Sequence, residues 1–274
     1  MILFTVIEGD NNNINNNSGN VKVPRMYEQE AIKCFQQWRQ NAGSLKDVDI
    51  ICYAPTKNLP SADTILKLKE LNVTYVENYL PVSEQLEYGF FLIPFVGKIL
   101  EEWYFNDTLI HIDLDMNIIK PIPERYFDGN VYVGQYDDVS SLSQRNLDKW
   151  ENPLDTGFTI SPPSSKFYTI FCDEFSKLYF DKSYEHEQDW LDQDASLFFL
   201  EEYVADKMLN NKRLEMKTIK HYQLGEGYSP VSEFSDEQLK EVIFWHEHLF
   251  VEETDEWAKT KIRQKIEFNK RTRG

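Results

Sequence analysis

The stretch Thr108-Leu-Ile-His-Ile-Asp-Leu-Asp-Met-Asn-Ile-Ile-Lys-Pro-Ile-Pro123 decides the reading of this chain. Thr108 to Ile112 is a short apolar run rich in β-branched residues, the signature of a buried strand. It empties into Asp113-Leu114-Asp115, and Pro121 and Pro123 then forbid a regular central strand or a long helix immediately downstream. Carboxylates two residues apart face the same way while the backbone stays extended, and such hard oxygens, with those of a diphosphate, suit Mg²⁺ or Mn²⁺. The competing reading is a solvated acidic turn. His111 is read as strand packing or as support for the acidic pair.

Upstream, Met1 to Ile7 reads as a first buried strand, followed by the asparagine-rich polar run Asn11 to Asn20, a mobile loop by composition. Tyr27 to Gln40 carries Ala31, Cys34, Phe35 and Trp38 at helical spacing. Val48 to Tyr53 is a second strand, Ser61 to Leu71 a short helix and Val73 to Val76 a third strand. Pro94 can occupy the first turn of a helix running to about Phe105, because its missing N–H has no helical partner there. This alternation predicts an α/β fold with a mostly parallel central sheet flanked by helices on both faces. In such sheets ligands sit at the carboxyl ends of strands, where Asp113 and Asp115 fall.

Downstream, Val131 to Val133 and Phe158 to Ser161 read as strands and Ser164 to Phe180 as a helix. Asp137 to Asn152 is polar and aperiodic, a lid-like segment. Asp194 to Met208 reads as a helix and Leu214 to Tyr222 as a strand. The last 20 residues set seven basic side chains against three acidic ones and read as a solvated helix with a frayed tail; weak contact with an anionic membrane or docking on a partner is the other reading.

The formal charge of −17 opposes a broad nucleic-acid surface but not a nucleotide held through a divalent cation. Three scattered cysteines, Cys34, Cys52 and Cys172, suit buried thiols in a reducing compartment and predict a cytoplasmic location. The greasiest internal run, Gly89 to Leu100, is shorter than a membrane span and contains Lys98, so no transmembrane segment is expected. His246-Glu247-His248 lacks the spacing of a helical metalloprotease motif, no Gly-X-Ser-X-Gly elbow is present, and Gly225-Glu-Gly227 lacks a dinucleotide-binding context.

Residues Lys98 to Pro123 together resemble the donor-binding segment of GT-A-fold (Rossmann-like) glycosyltransferases, especially the glycogenin and lipopolysaccharide galactosyltransferase-like group and related small polysaccharide enzymes. The resemblance spans roughly 1–228, most strongly 94–123 and 153–200, and implies a nucleotide-sugar-binding catalytic core over 1–228 with a helical, basic-tailed extension over 229–274. It implies that Asp113 and Asp115 bind Mn²⁺ or Mg²⁺, with Asp113 also near the donor ribose and Lys98 near the sugar or the first aspartate. Asp155-Thr156-Gly157 resembles the segment lining the donor sugar; read locally, it is a turn before a strand. Asp192-Gln193-Asp194 resembles an element at a helix start, Asp192 capping the helix and Gln193 and Asp194 contacting sugar or acceptor. A histidine completes the metal site in that group. His221, after a strand and before a Gly-rich turn, is favoured over His246 and His248.

The implied reaction moves a sugar from a nucleoside-diphosphate sugar, UDP-sugar favoured and GDP-sugar the alternative, to a hydroxyl of a glycan acceptor. Retention of anomeric configuration is favoured; inversion would need a general base, for which Asp194 is the candidate. The usual downstream lysine segment is missing, so no phosphate-clamping lysine is assigned. A non-catalytic sugar-nucleotide-binding protein of the same fold is the alternative. A nucleotidyltransferase fits less well, because Glu8-Gly9-Asp10 is a poor phosphate loop.

Overall fold

The computed structural model describes residues 1–10, 27–86, 89–136, 154–181, 200–210, 214–224, 230–247 and 255–272. The first half alternates as expected: β1 (Ile2–Val6), α1 (Tyr27–Asn41), β2 (Asp49–Ala54), α2 (Ala62–Glu70), β3 (Val73–Glu77), α3 (Ile93–Trp103) and β4 (Leu109–Ile112). Ser61 caps α2, its hydroxyl accepting the Thr64 N–H at 3.3 Å, and Pro94 sits in the first turn of α3. After β4 come β5 (Met116–Ile118), β6 (Val131–Tyr136), β7 (Leu154–Ser161), α4 (Phe167–Phe180), α5 (Leu200–Asn210), β8 (Met216–Gln223), α6 (Asp236–Glu241), β9 (Phe244–His246) and α7 (Asp255–Thr272).

Among the described residues the strands form one nine-stranded sheet in the order β3-β2-β1-β4-β7-β6-β8-β9-β5. Pairing is parallel from β3 to β4 and from β6 through β8 to β9. It is antiparallel where β7 meets β4 and β6 and where β5 meets β9. The sheet is therefore mostly parallel. Alternation along β1 divides the core: Ile2, Phe4 and Val6 pack with residues of α3 and α4, while Leu3 packs with Ala31, Cys34, Phe35 and Trp38 of α1. A central strand buried on both faces is mostly apolar, which is why β1 reads as a hydrophobic run interrupted only by Thr5.

Three elements differ from the sequence reading. Asp155-Thr156-Gly157 is not a turn but the first half of β7, which starts at Leu154. Two strands of three residues each, β5 and β9, were not anticipated; they pair with each other, Met116 opposite His246 and Ile118 opposite Phe244. β5 ends before Pro121, so the prolines limit it without preventing it. β9, which comes from the segment after residue 228, lies within the sheet between β8 and β5. The C-terminal helix is present as expected, but it is docked: Phe268 is buried with Tyr222, Leu224 and Leu239, and Arg271 binds the Val231 and Phe234 carbonyls and Asp236.

Cys34, Cys52 and Cys172 are buried free thiols. No described helix is long and apolar enough to cross a membrane. The readings for 11–20, 137–152 and the Asp192-Gln193-Asp194 element lie outside the described residues, as does His248.

Candidate active site

β4 delivers His111 to the sheet interior and ends at the acidic turn. Its pairing with β7 continues past Ile112, since the Asp113 N–H donates to the Gly157 carbonyl at 2.7 Å. Asp113 is thereby held beside the Asp155-Thr156-Gly157 segment. A register shift in β6 between Val133 and Gly134 lets the strands close up at this point; a Cβ on Gly134 would stand 2.5 Å from the Asp155 carbonyl oxygen. Gly157 is needed for a similar reason. Its Cβ position is 2.9 Å from both Asp113 Oδ2 and Asp155 Oδ1, so any side chain there would press on the carboxylates.

Asp155 is buried and fully engaged. Its Oδ1 accepts the Gly157 N–H at 2.8 Å, and its Oδ2 lies 2.8 Å from both His221 Nε2 and His246 Nδ1. Burial pushes the Asp155 carboxyl up, but His246 and His221 outweigh it and hold the group well below the usual carboxylate range. His246 shows the complementary effect: burial pushes it down, while Asp115 and Asp155 hold it well above the usual imidazole value. Thr156, also buried, gives its carbonyl to His111 Nδ1 at 3.1 Å and its hydroxyl to Glu201 at 3.4 Å.

The other face of His246 meets the acidic turn, with Nε2 3.2 Å from Asp115 Oδ1. Ligand atoms of Asp113, Asp115 and His246 all lie within 4.8 Å of one another, as do those of Asp155, His221 and His246. The two groups differ in access. The second is wholly buried, whereas the side chains of Asp113 and Asp115 keep 31% and 26% of their area exposed, so only the first can share a cation with an incoming ligand. Burial pushes Asp113 up to about 8, and Asp115 beside it adds to the push. Two crowded carboxylates facing an imidazole are a donor set that suits a divalent cation. When the imidazole Nδ1–H is bonded to a carboxylate, Nε2 is the nitrogen left to face a metal.

His111 is fully buried, its Nε2 3.5 Å from Asp113 Oδ1, and burial pushes it down to about 4, which keeps it neutral. It packs on Phe4, ring centres 5.1 Å apart, beside the aspartate. Lys98 is placed elsewhere: it forms an ion pair with Asp173 of α4 at 2.8 Å. His221 was favoured to complete the acidic pair, but the histidine that reaches Asp115 is His246, with His221 one step behind on Asp155. The signal for His246 was present as the apolar run Val242-Ile-Phe-Trp245, a short strand ending in His-Glu-His.

No family model and no curated protein sequence matches the chain. Among solved structures it is similar to the apo form of mouse xyloside xylosyltransferase 1, at 9% identity over 90% of this chain and 96% of that chain, with a TM-score of 0.46. It is also similar to a glycosyltransferase involved in the glycosylation of the major capsid of PBCV-1, at 10% identity over 96% of this chain and 98% of that one, with a TM-score of 0.43.

Proposed function

We propose that this chain is a metal-dependent glycosyltransferase that moves a sugar from a nucleoside-diphosphate sugar, UDP-sugar favoured, to a hydroxyl of a glycan acceptor. The observation that carries the reading is the convergence of Asp113, Asp115 and His246 at the carboxyl end of β4, half-open to solvent and backed by a buried Asp155 that orients the histidine. Those three residues would hold Mn²⁺ or Mg²⁺, with Asp155 and His221 fixing the imidazole from behind. The cation supplies charge neutralisation for a diphosphate leaving group. Gly157 packs against Asp113, and Asp155, Thr156 and Gly157 remain the proposed lining of the donor site. Asp192, Gln193 and Asp194 remain the proposed contacts to sugar and acceptor, and retention of configuration remains the favoured outcome. Because β9 contributes His246, the proposed catalytic unit extends at least that far rather than ending at residue 228.

The test is incubation with a panel of UDP- and GDP-sugars, Mn²⁺ and candidate glycan acceptors, scored by nucleoside-diphosphate release and acceptor labelling. Turnover that EDTA abolishes and that Asp115→Ala lowers by a factor of a hundred or more supports the reading. Metal-dependent donor binding that survives Asp115→Ala overturns the placement of the cation. Donor binding without turnover by any pair would leave a sugar-nucleotide-binding protein instead.

A further inference from the structure

β5 and β9 are three residues each, too short to hold Asp115 and His246 in register by their own ladder. The residue after β9 extends it: the Glu247 N–H donates to the Asp115 carbonyl at 3.0 Å. Its buried carboxylate then joins two helices distant in sequence. One oxygen takes Lys33 Nζ of α1 at 2.8 Å, and the other takes Lys265 Nζ of α7. Lys33 also reaches Glu30 at 3.5 Å, and Lys265 lies over the Trp245 ring, 5.2 Å from its centre.

Cys34, next to Lys33 on α1, has its sulfur 3.6 Å from the Met116 carbonyl and 3.8 Å from the Asp113 carbonyl, so α1 lies directly against the acidic turn. The Glu247 carboxylate therefore ties the helix behind the turn, and α7 with it, to the strand that bears His246.

We infer that Glu247 is a positioning residue for the cation seat proposed above: its backbone fixes Asp115 against the strand bearing His246, and its carboxylate clamps α1 and α7 onto that strand through Lys33 and Lys265. This rests on the proposed metal-dependent reading for its purpose, but not for its geometry. Glu247 belongs to neither group of candidate ligands and acts through its neighbours, as residues behind metal ligands commonly do.

The experiment compares the full chain with Glu247→Gln and with the triple variant Lys33→Met/Lys265→Met/Glu247→Gln. Two quantities are read: the ring ¹⁵N resonances of His246 in metal-free protein, and the affinity for Mn²⁺ alone by electron paramagnetic resonance of the free ion. In Glu247→Gln the His246 resonances shift and Mn²⁺ affinity falls roughly tenfold; removing both lysines in that background costs little more, because the same ties are already loosened. A folded Glu247→Gln chain with unchanged His246 resonances and unchanged Mn²⁺ affinity overturns the inference. So does a second, equally large loss of affinity when the lysines are also replaced. If the unmodified chain takes up no Mn²⁺, the metal reading fails, and the His246 resonances still decide the positioning role of Glu247. Should Glu247→Gln not fold, Lys265→Met removes one tie only and is expected to shift the same resonances by less; no shift there overturns the inference.

Discussion

His246 Nδ1 lies 2.8 Å from Asp155 Oδ2 across 91 residues of sequence. This contact aims the imidazole: with Nδ1 committed to Asp155, Nε2 faces Asp115. The same oxygen meets His221, so one buried carboxylate sets two rings. Removing its charge leaves two imidazoles facing a neutral amide in a site without solvent. Asp155→Asn is expected to cost about 3–5 kcal/mol, the range for breaking a buried ion pair from one side. Thermal or urea unfolding checks this; a loss below ~1 kcal/mol would mean that the Asp155 charge does not hold the two rings.

Gly157→Ala tests how closely the strand approaches the acidic turn. Its new methyl would press on Asp113 Oδ2 and Asp155 Oδ1, and the freer Asp113 side chain would yield first. The expected outcome is a folded protein destabilised by about 1–3 kcal/mol, as for overpacking of a tight site. Mn²⁺ affinity should fall with it, read by calorimetry, because the displaced oxygen is a proposed ligand.

Asp113 supplies a pH dependence. Burial and Asp115 push it up to about 8, so below that pH the metal-free folded chain keeps a proton that must leave before the oxygen can bind a cation. Mn²⁺ affinity should therefore rise with pH and level off above about 8, with a proton released on binding at pH 7. The sign for stability is opposite. Between the ordinary carboxylate value and about 8 the folded chain binds more protons than the unfolded one, so metal-free stability contributed by Asp113 falls as pH rises through that window. A Mn²⁺ titration that is flat from pH 6 to 8.5 would remove Asp113 from the ligand set.

Lys98→Ala separates two placements of that side chain. The Lys98–Asp173 pair is partly exposed, with 33% and 63% of the side chains open to solvent, and should contribute no more than about 1 kcal/mol. Little change in unfolding midpoint and none in Mn²⁺ affinity is expected. A large rise in donor KM would instead restore Lys98 to the donor site suggested by the sequence resemblance.

Much of the architecture was legible because it is written in local periodicity. The apolar run of β1, the helical spacing of Ala31, Cys34, Phe35 and Trp38, the Ser61 cap and Pro94 each carry their meaning within a few residues. Asp113 and Asp115 were legible for the same reason, as an acidic triplet closing an apolar strand. Three-residue β5 and β9 were not, since each is too short for a period and is a strand only because the other pairs with it. The turn expected at Asp155 proved to be strand because β6 bulges at Gly134 to receive it, which no residue of the segment itself announces.

The amino-acid sequence by itself determined the α/β alternation and the strand that presents Asp113 and Asp115. Only the tertiary structure decided that His246 rather than His221 reaches Asp115, that Lys98 turns to Asp173, and that Glu247 ties α1 and α7 to the site. The physical reason is that propensity and patterning act over a few residues, whereas a cation seat is made by side chains from remote strands. Their meeting is set by sheet order, register and one bulge.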